Sequence, residues 1–393
     1  MVGWLEPVSN SIGTRLFWRS PGRPGVLWWL PAGLIAELIR FMSNRSRRDV
    51  LKTAAVSAGA LVVGAGQAQT DGPAAFQIDD QKPFRGQTRR LKITNRGRYV
   101  TSLIFAADYP THFRLKPELY PVLTPAGYPV TDSHQYCFIH HQSIMSGHGR
   151  VRAGDGRVID FYRKLNFPEP ARADKWHTPE RNLYQLGPSG MQEITRATWK
   201  TGAQATIDLT LDWRTRGQDS AVGETILTER RRYEISQAGP HTVIDHFATL
   251  VPAHGSAVLE ADRHSFCGVR VNDLIDVEDG GTMLDSEGRR NPGGNYWDAE
   301  GDRRAPRWVD CTGKVGPATV GITLMGHPKN LRNEYYMQDW GLMEVSPALG
   351  HDVEFSAAKP FHFAARYVAH DGEISPAAAD RLLRQFGEKR IGR

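Results

Sequence analysis

Four of the chain's 14 histidines, His134, His140, His141 and His148, fall within fifteen residues. Imidazole is the side chain whose charge changes most readily near neutral pH, and it is the commonest metal ligand. Histidines at this density can move protons, ligate a metal or hold a polar ligand. His140 and His141 are adjacent, so on a strand they face opposite ways, while His141 and Ser143 share a face. Gly147 and Gly149 flank His148 and predict a tight loop there. A metal needs about three converging ligands. A divalent ion is therefore an open reading, and nothing in the sequence requires a cofactor.

Other residues could complete a site around this cluster. Glu229 and Arg231 lie in strand register with Leu227, Tyr233 and Ile235. If that face is internal, two charges enter the sheet interior, which is costly unless they are paired or bind something polar. Arg270 offers a planar fork for a carboxylate, a keto oxygen or sugar hydroxyls, or else a salt bridge to Glu229 or Asp285. Asp285-Ser-Glu-Gly288 reads as a turn whose acids could meet a ligand. Trp308-Val-Asp310 and His327-Pro-Lys-Asn330 combine ring, acid, imidazole and amide. Each tryptophan, including Trp297 and Trp340, could equally be core, with one indole N–H to satisfy. The expected catalytic set is His140, His141, His148, Glu229, Arg270 and His327. Ser143, Asp285, Trp308, Asp310 and Asn330 are the expected substrate contacts.

The elements that must position these groups are mostly strands. Ile207, Leu209, Leu211 and Trp213 alternate with polar residues, the period of a half-buried strand. Leu227 to Ile235 repeats the pattern, Gln237-Ala-Gly-Pro240 is a turn, and Thr242–Val251 returns. Gly321–Met325 and Phe361–Ala369 add further strands. His362, Arg366 and His370 lie opposite the apolar Phe361, Phe363, Ala365 and Tyr367, away from a core-side site. Only the end reads as helix: Ser375 can cap it, Pro376 suits its first position, and Gly387 can terminate it. No linker or repeat interrupts residues 69–393. This pattern predicts one large antiparallel β-sandwich with a short C-terminal helix, two packed β subdomains being the alternative.

The front of the chain carries a different signal. Ser46-Arg47-Arg48-Asp49-Val50-Leu51-Lys52 precedes a modestly apolar stretch, Thr53 to Gly66, and then Ala68. This order reads as a twin-arginine signal over residues 42–68, cleaved after Ala68. It implies export to the periplasm or beyond, with the Tat translocase as a transient partner. Residues 1–41 fit such a signal poorly and read as a misassigned extension, with Met42 as the start. The apolar run Val26–Ile39 is too short to span a bilayer. The whole chain has 49 basic and 43 acidic side chains, but residues 69–393 hold 41 and 40. A near-neutral mature chain removes the compositional support for nucleic-acid binding. Cys137, Cys267 and Cys311 allow at most one disulfide between them. Phosphate-loop, dinucleotide, zincin and nucleophile-elbow motifs are absent.

Several stretches together resemble a large bacterial family labelled "methane oxygenase PmoA". They are Tyr120-Pro-Val-Leu-Thr-Pro-Ala-Gly127 with Pro129-Val-Thr131, His140-His-Gln-Ser143 through Gly149, Asp160-Phe161, Asp285-Ser-Glu-Gly288, Trp308-Val-Asp310, His327-Pro-Lys-Asn330 and Arg366–Gly372. The resemblance runs from about Leu91 to Phe386. The family often places an acid, a His and a Pro just before its paired histidines, whereas this chain has the longer Asp132-Ser-His134-Gln-Tyr-Cys-Phe-Ile. True membrane methane monooxygenase subunits are integral membrane proteins, and residues 69–393 contain no spanning segment. The resemblance thus implies an exported β-sandwich whose relatives accompany sugar-degrading genes, and it brings no catalytic assignment. The functional expectation is an exported carbohydrate-active lyase, hydrolase or epimerase with a His-rich site. A carbohydrate-binding protein without catalysis and a His-ligated metalloenzyme are the alternatives.

Overall fold

Alternation of apolar and polar residues builds most of this molecule. Ala205–Arg216 buries Ile207, Leu209, Leu211 and Trp213 on one face, and Val222–Ala238 buries Leu227, Tyr233 and Ile235 beside them. Each such side chain contributes about 1.5–3 kcal/mol when fully withdrawn from water. The computed structural model describes residues 4–10, 13–20, 23–28, 76–82, 88–105, 115–133, 140–162, 189–216, 222–296 and 305–392. The twin-arginine stretch, His134, Cys137 and Trp297 lie outside these residues.

Two units are present, residues 1–72 and 73–393. In the first, strands β1 (Trp4–Asn10), β2 (Gly13–Ser20) and β3 (Arg23–Trp28) form an antiparallel sheet. The second unit is the expected β-sandwich. Its nine-stranded sheet runs, in spatial order, β18 (Gly294–Tyr296), β21 (Glu334–Gln338), β22 (Leu342–Ser346), β16 (Ser265–Arg270), β8 (Ile144–His148), β7 (Glu118–Leu119), β6 (Arg98–Ile104), β5 (Arg90–Asn95) and β4 (Phe76–Gln81). The eight-stranded sheet runs β11 (Ser189–Lys200), β12 (Ala205–Arg216), β13 (Val222–Ala238), β14 (His241–Pro252), β24 (Phe361–Asp371), β20 (Ala318–Gly326), β19 (Trp308–Val315) and β17 (Thr282–Asp285). A small sheet of β10 (Val158–Ile159), β9 (Val151–Arg152), β15 (Ser256–Leu259) and β23 (Val353–Ser356) completes the set.

The two large sheets pack through aromatic side chains. Phe266 of one meets Phe361 at 5.2 Å and Phe363 at 5.4 Å on the other. The helix α1 (Pro376–Gly387) begins as its sequence predicts, with the Ser375 hydroxyl accepting from Ala378 N. It lays Leu382, Leu383 and Phe386 against the outer face of the eight-stranded sheet. That covering explains the outward residues of β24. Arg366 is buried, donating to Asp245 Oδ1 at 2.6 Å and to the Leu382 carbonyl at 2.6 Å. His370, also buried, meets Asp310 at 2.9 Å, and only His362 stays partly open. Cys267 and Cys311 are both buried free thiols. No helix among the described residues is long and apolar enough to cross a membrane.

Candidate active site

The outer face of the nine-stranded sheet gathers the chemistry. On β16, Gly268 and Arg270 point away from the core, opposite Cys267 and Val269, and the neighbouring outward positions are Met145 of β8 and Glu344 of β22. Gly268 leaves room for its neighbour: a Cβ there would sit 3.1 Å from Glu344 Cγ. Three loops close over this surface. The loop before β8 supplies His140 and His141, the segment after β10 supplies Tyr162, and the lead-in to β16 supplies His264. A hairpin between β21 and β22 adds Trp340. Its turn closes with Gly341 N donating to the Gln338 carbonyl at 3.0 Å and Gly341 at φ 86°, a conformation glycine takes without strain.

The rings form one cluster. His140 and His141 centroids are 4.2 Å apart, His140 is 6.3 Å from His264, and His264 is 5.4 Å from Tyr162. Trp340 stacks on His141 at 5.1 Å with an interplanar angle of 6°. The Arg270 guanidinium lies 5.0 Å from the Trp340 ring centre. Arg270 also donates to Asp273 Oδ1 at 3.2 Å, so its ion pair is with Asp273 rather than with the sequence-expected Glu229 or Asp285. Asp262 orients His264 through Nδ1 at 3.1 Å. Lys116 ties the loops together, donating from Nζ to the Tyr162 carbonyl at 2.6 Å and the His140 carbonyl at 3.1 Å. The Tyr162 hydroxyl donates to Glu344 Oε1.

Burial tunes these groups. Glu344 is held well above the ordinary carboxylate range by desolvation, which the Tyr162 hydrogen bond and the Lys116 charge only partly oppose. Desolvation, then the neighbouring His140 and Arg270, hold His141 well below the ordinary imidazole value. Burial also lowers Lys116 to about 8, against the pull of Asp160, Glu344 and Glu118. Burial thus biases the carboxyl group toward its neutral acid form and the imidazole toward its neutral base form, a division suited to general acid–base work.

Of the expected residues, His140, His141 and Arg270 converge here. Ser143 borders the site through its backbone: its N–H donates to Glu118 and its carbonyl accepts from Arg270 N. The rest go elsewhere. His148 ends β8 instead of forming a loop. It shares the inward face of Ser146, and its Nε2 meets the Glu260 carbonyl at 2.7 Å. Glu229 sits inside the sandwich, bound by Arg231 at 2.7 and 2.8 Å and by Trp213 Nε1 at 2.8 Å. His327 and Asn330 belong to the C-terminal side: His327 packs 4.7 Å from Phe386 and meets the Lys389 carbonyl, while Asn330 bonds Ala364 at both N–H and carbonyl. Asp285 closes its own turn by accepting from Glu287 N, Arg289 N and Arg289 Nε. Trp308 is core, its indole donating to Asp380 at 2.8 Å, and Asp310 is shared by Thr312, Thr323 and His370. Most of the polar atoms of these residues are engaged in bonds that fix turns and sheets.

Lys116, Tyr162, His264 and Glu344 were not expected from sequence. Glu344 carried a usable signal, an acid inside the apolar run Leu342-Met-Glu-Val345. Among the described residues, the histidines bring no three ligand atoms within reach of one ion. The group that does is Asp273, Asp276 and Asp279, beyond Arg270.

Residues 90–384 match the family of unknown function DUF6807, and the chain is a member of it. No curated protein matches. Solved structures with related outlines include a putative aldose 1-epimerase from Klebsiella pneumoniae (8% identity, TM-score 0.36, covering 81% of this chain and 90% of that one). Another is the α-galactosidase from Lactobacillus brevis (7% identity, TM-score 0.34), where 81% of this chain aligns but only 42% of the galactosidase is spanned. A putative aldose 1-epimerase from Escherichia coli K12 aligns at 7% identity and TM-score 0.30, over 76% of this chain and all of that one. Likeness this slight carries no argument about activity.

Proposed function

We propose that this protein is a carbohydrate-active acid–base enzyme, a lyase or epimerase acting on an oxidised sugar or glycoside. One observation carries the reading: His140, His141 and His264 meet Tyr162, Arg270 and the buried Glu344 in a single cluster. In this reading His141, neutral at working pH, takes a proton from a carbon next to a carbonyl. Arg270 steadies the negative charge that then develops on oxygen. Glu344, relayed by Tyr162, supplies the proton that completes elimination or re-addition. Ring edges, phenol and guanidinium together suit the hydroxyls and apolar faces of a sugar. Two-carboxylate glycoside hydrolysis fits less well. Glu118, the other glutamate near Lys116, already accepts from Ser133 and the Ser143 N–H.

The signal-like stretch 42–68 supports placing the working protein outside the cytoplasm. The PmoA-labelled resemblance is read as kinship without methane oxidation.

The test is proton NMR of the purified protein with 3-keto glycosides in deuterated water. Exchange or elimination at the carbon next to the carbonyl is expected, and its loss in the His140→Ala/His141→Ala double variant. Folded protein that exchanges no proton and forms no product with any oxidised sugar would overturn the reading.

A further inference from the structure

We propose that the outer face of the eight-stranded sheet carries a second site, a basic groove that binds a uronate-bearing polysaccharide. The site is separate from the acid–base cluster and stands whether or not that cluster is catalytic.

The groove has a volume of about 580 Å³ and is floored by β11, β12, β13 and β14, with the residues after α1 as one wall. Strand register sets its floor. Arg196 pairs across to Thr210, Thr210 to Arg230, and Arg230 to Thr249. The alternation that sends Leu209 and Arg231 into the core sends these four outward. Arg196 and Arg230 thus stand two strands apart, about 10 Å at ordinary strand spacing. Arg390 comes in from the tail.

Internal pairing removes most of the other charges. Arg232 holds Asp208 at 2.6 Å, and Lys389 holds Glu234 and Asp245, each at 2.6 Å. Among the described residues, Arg196, Arg230 and Arg390 have no carboxylate partner, and Glu388 is the one lining acid left over. Three free guanidinium groups against one carboxylate is a local excess in a chain whose residues 69–393 are nearly balanced. The field is felt nearby: His362, next along this row, is pushed down by burial and then by the Arg230 charge.

Ligand class follows from the lining. Planar guanidinium forks match carboxylates in bidentate geometry. Threonine hydroxyls and the half-buried Phe247 ring offer what sugar hydroxyls and ring faces need. A lipid surface would call for protruding apolar residues, and the exposed large ones among the described residues, Val222, Leu274 and Leu331, do not line the groove. Single-stranded nucleic acid would call for several open aromatic platforms, and here there is one partly covered phenylalanine.

The experiment is affinity electrophoresis and titration calorimetry of the full chain with polygalacturonate, with dextran and single-stranded DNA as comparisons. Binding to polygalacturonate that weakens with salt, no binding to dextran, and at least a tenfold loss in the Arg196→Gln/Arg230→Gln/Arg390→Gln variant are expected. All three positions are exposed, so the variant's melting temperature should match the parent. The His140→Ala/His141→Ala variant should bind polygalacturonate as the parent does, which separates this site from the catalytic reading. Absence of binding at low salt, binding undiminished in the triple variant, or tighter binding to DNA or to a second copy of the chain would overturn it.

Discussion

Glu344 and Glu229 are both almost fully buried, yet their surroundings differ in kind. Glu229 faces a bidentate guanidinium and an indole N–H, so its charge is answered on both oxygens. Glu344 receives one phenol, and its Oε2 has no hydrogen-bond partner. Replacing Glu344 by Gln keeps the side chain's shape and removes its titratable proton. Stability should then shift by only about 1 kcal/mol, while turnover on the active substrate falls about 10²–10⁴-fold. Glu229→Gln strands a buried guanidinium and should cost about 3–5 kcal/mol in urea unfolding. The pH response separates the groups further. From the ordinary carboxylate range up to its raised folded value, Glu344 keeps a proton that the unfolded chain has released. Its contribution to stability therefore falls as pH rises through that window, and Glu344→Gln should flatten the slope. His141 acts in the opposite sense. Below about pH 6.5 the unfolded chain takes up a proton that the folded chain refuses, so stability falls on acidification. His141→Gln should reduce that fall in melting temperatures measured across pH.

At the scale of elements, the site depends on loop segments that pack very closely on strand β8. A Cβ on Gly147 would lie 2.7 Å from the Phe161 carbonyl oxygen and 2.8 Å from Lys116 Cδ. Gly147 therefore lets the segment that carries Tyr162 and the lysine that ties the loops pack directly on β8. Gly147→Ala should cost about 1–3 kcal/mol and reduce turnover by displacing Lys116 and Tyr162, read by calorimetry and activity on one preparation. The glycines flanking His148 looked like a loop signal, but one of them is a packing device within a strand. The strand alternation over residues 207–213 and 227–235 and the helix capped at Ser375 were legible because they depend on near neighbours in sequence. His264, Lys116 and Tyr162 were not, because each comes from a loop whose direction is set by the sheet beneath it.

For the whole molecule, the twin-arginine stretch predicts a processed, exported chain. Material recovered from the periplasm should begin at Gln69 by N-terminal sequencing, and Arg47→Lys/Arg48→Lys should hold it in the cytoplasm. A periplasmic product that retains residues 42–68, or export unchanged by the double substitution, would refute this. The sequence by itself determined the β-sandwich and its terminal helix. Period-two burial, turn residues and caps are local properties, and they sum to a fold class. It also marked His140, His141 and Arg270 by residue type. Only the tertiary structure decided which polar residues share a space. The register of β16 against β22 sets Glu344 beside Gly268, and the β21–β22 hairpin stacks Trp340 on His141. Packing of α1 and the tail draws His327 and Asn330 away to the opposite side of β24. Contacts between residues tens to hundreds of positions apart are set by how whole sheets and loops pack, and no local pattern in the chain encodes them.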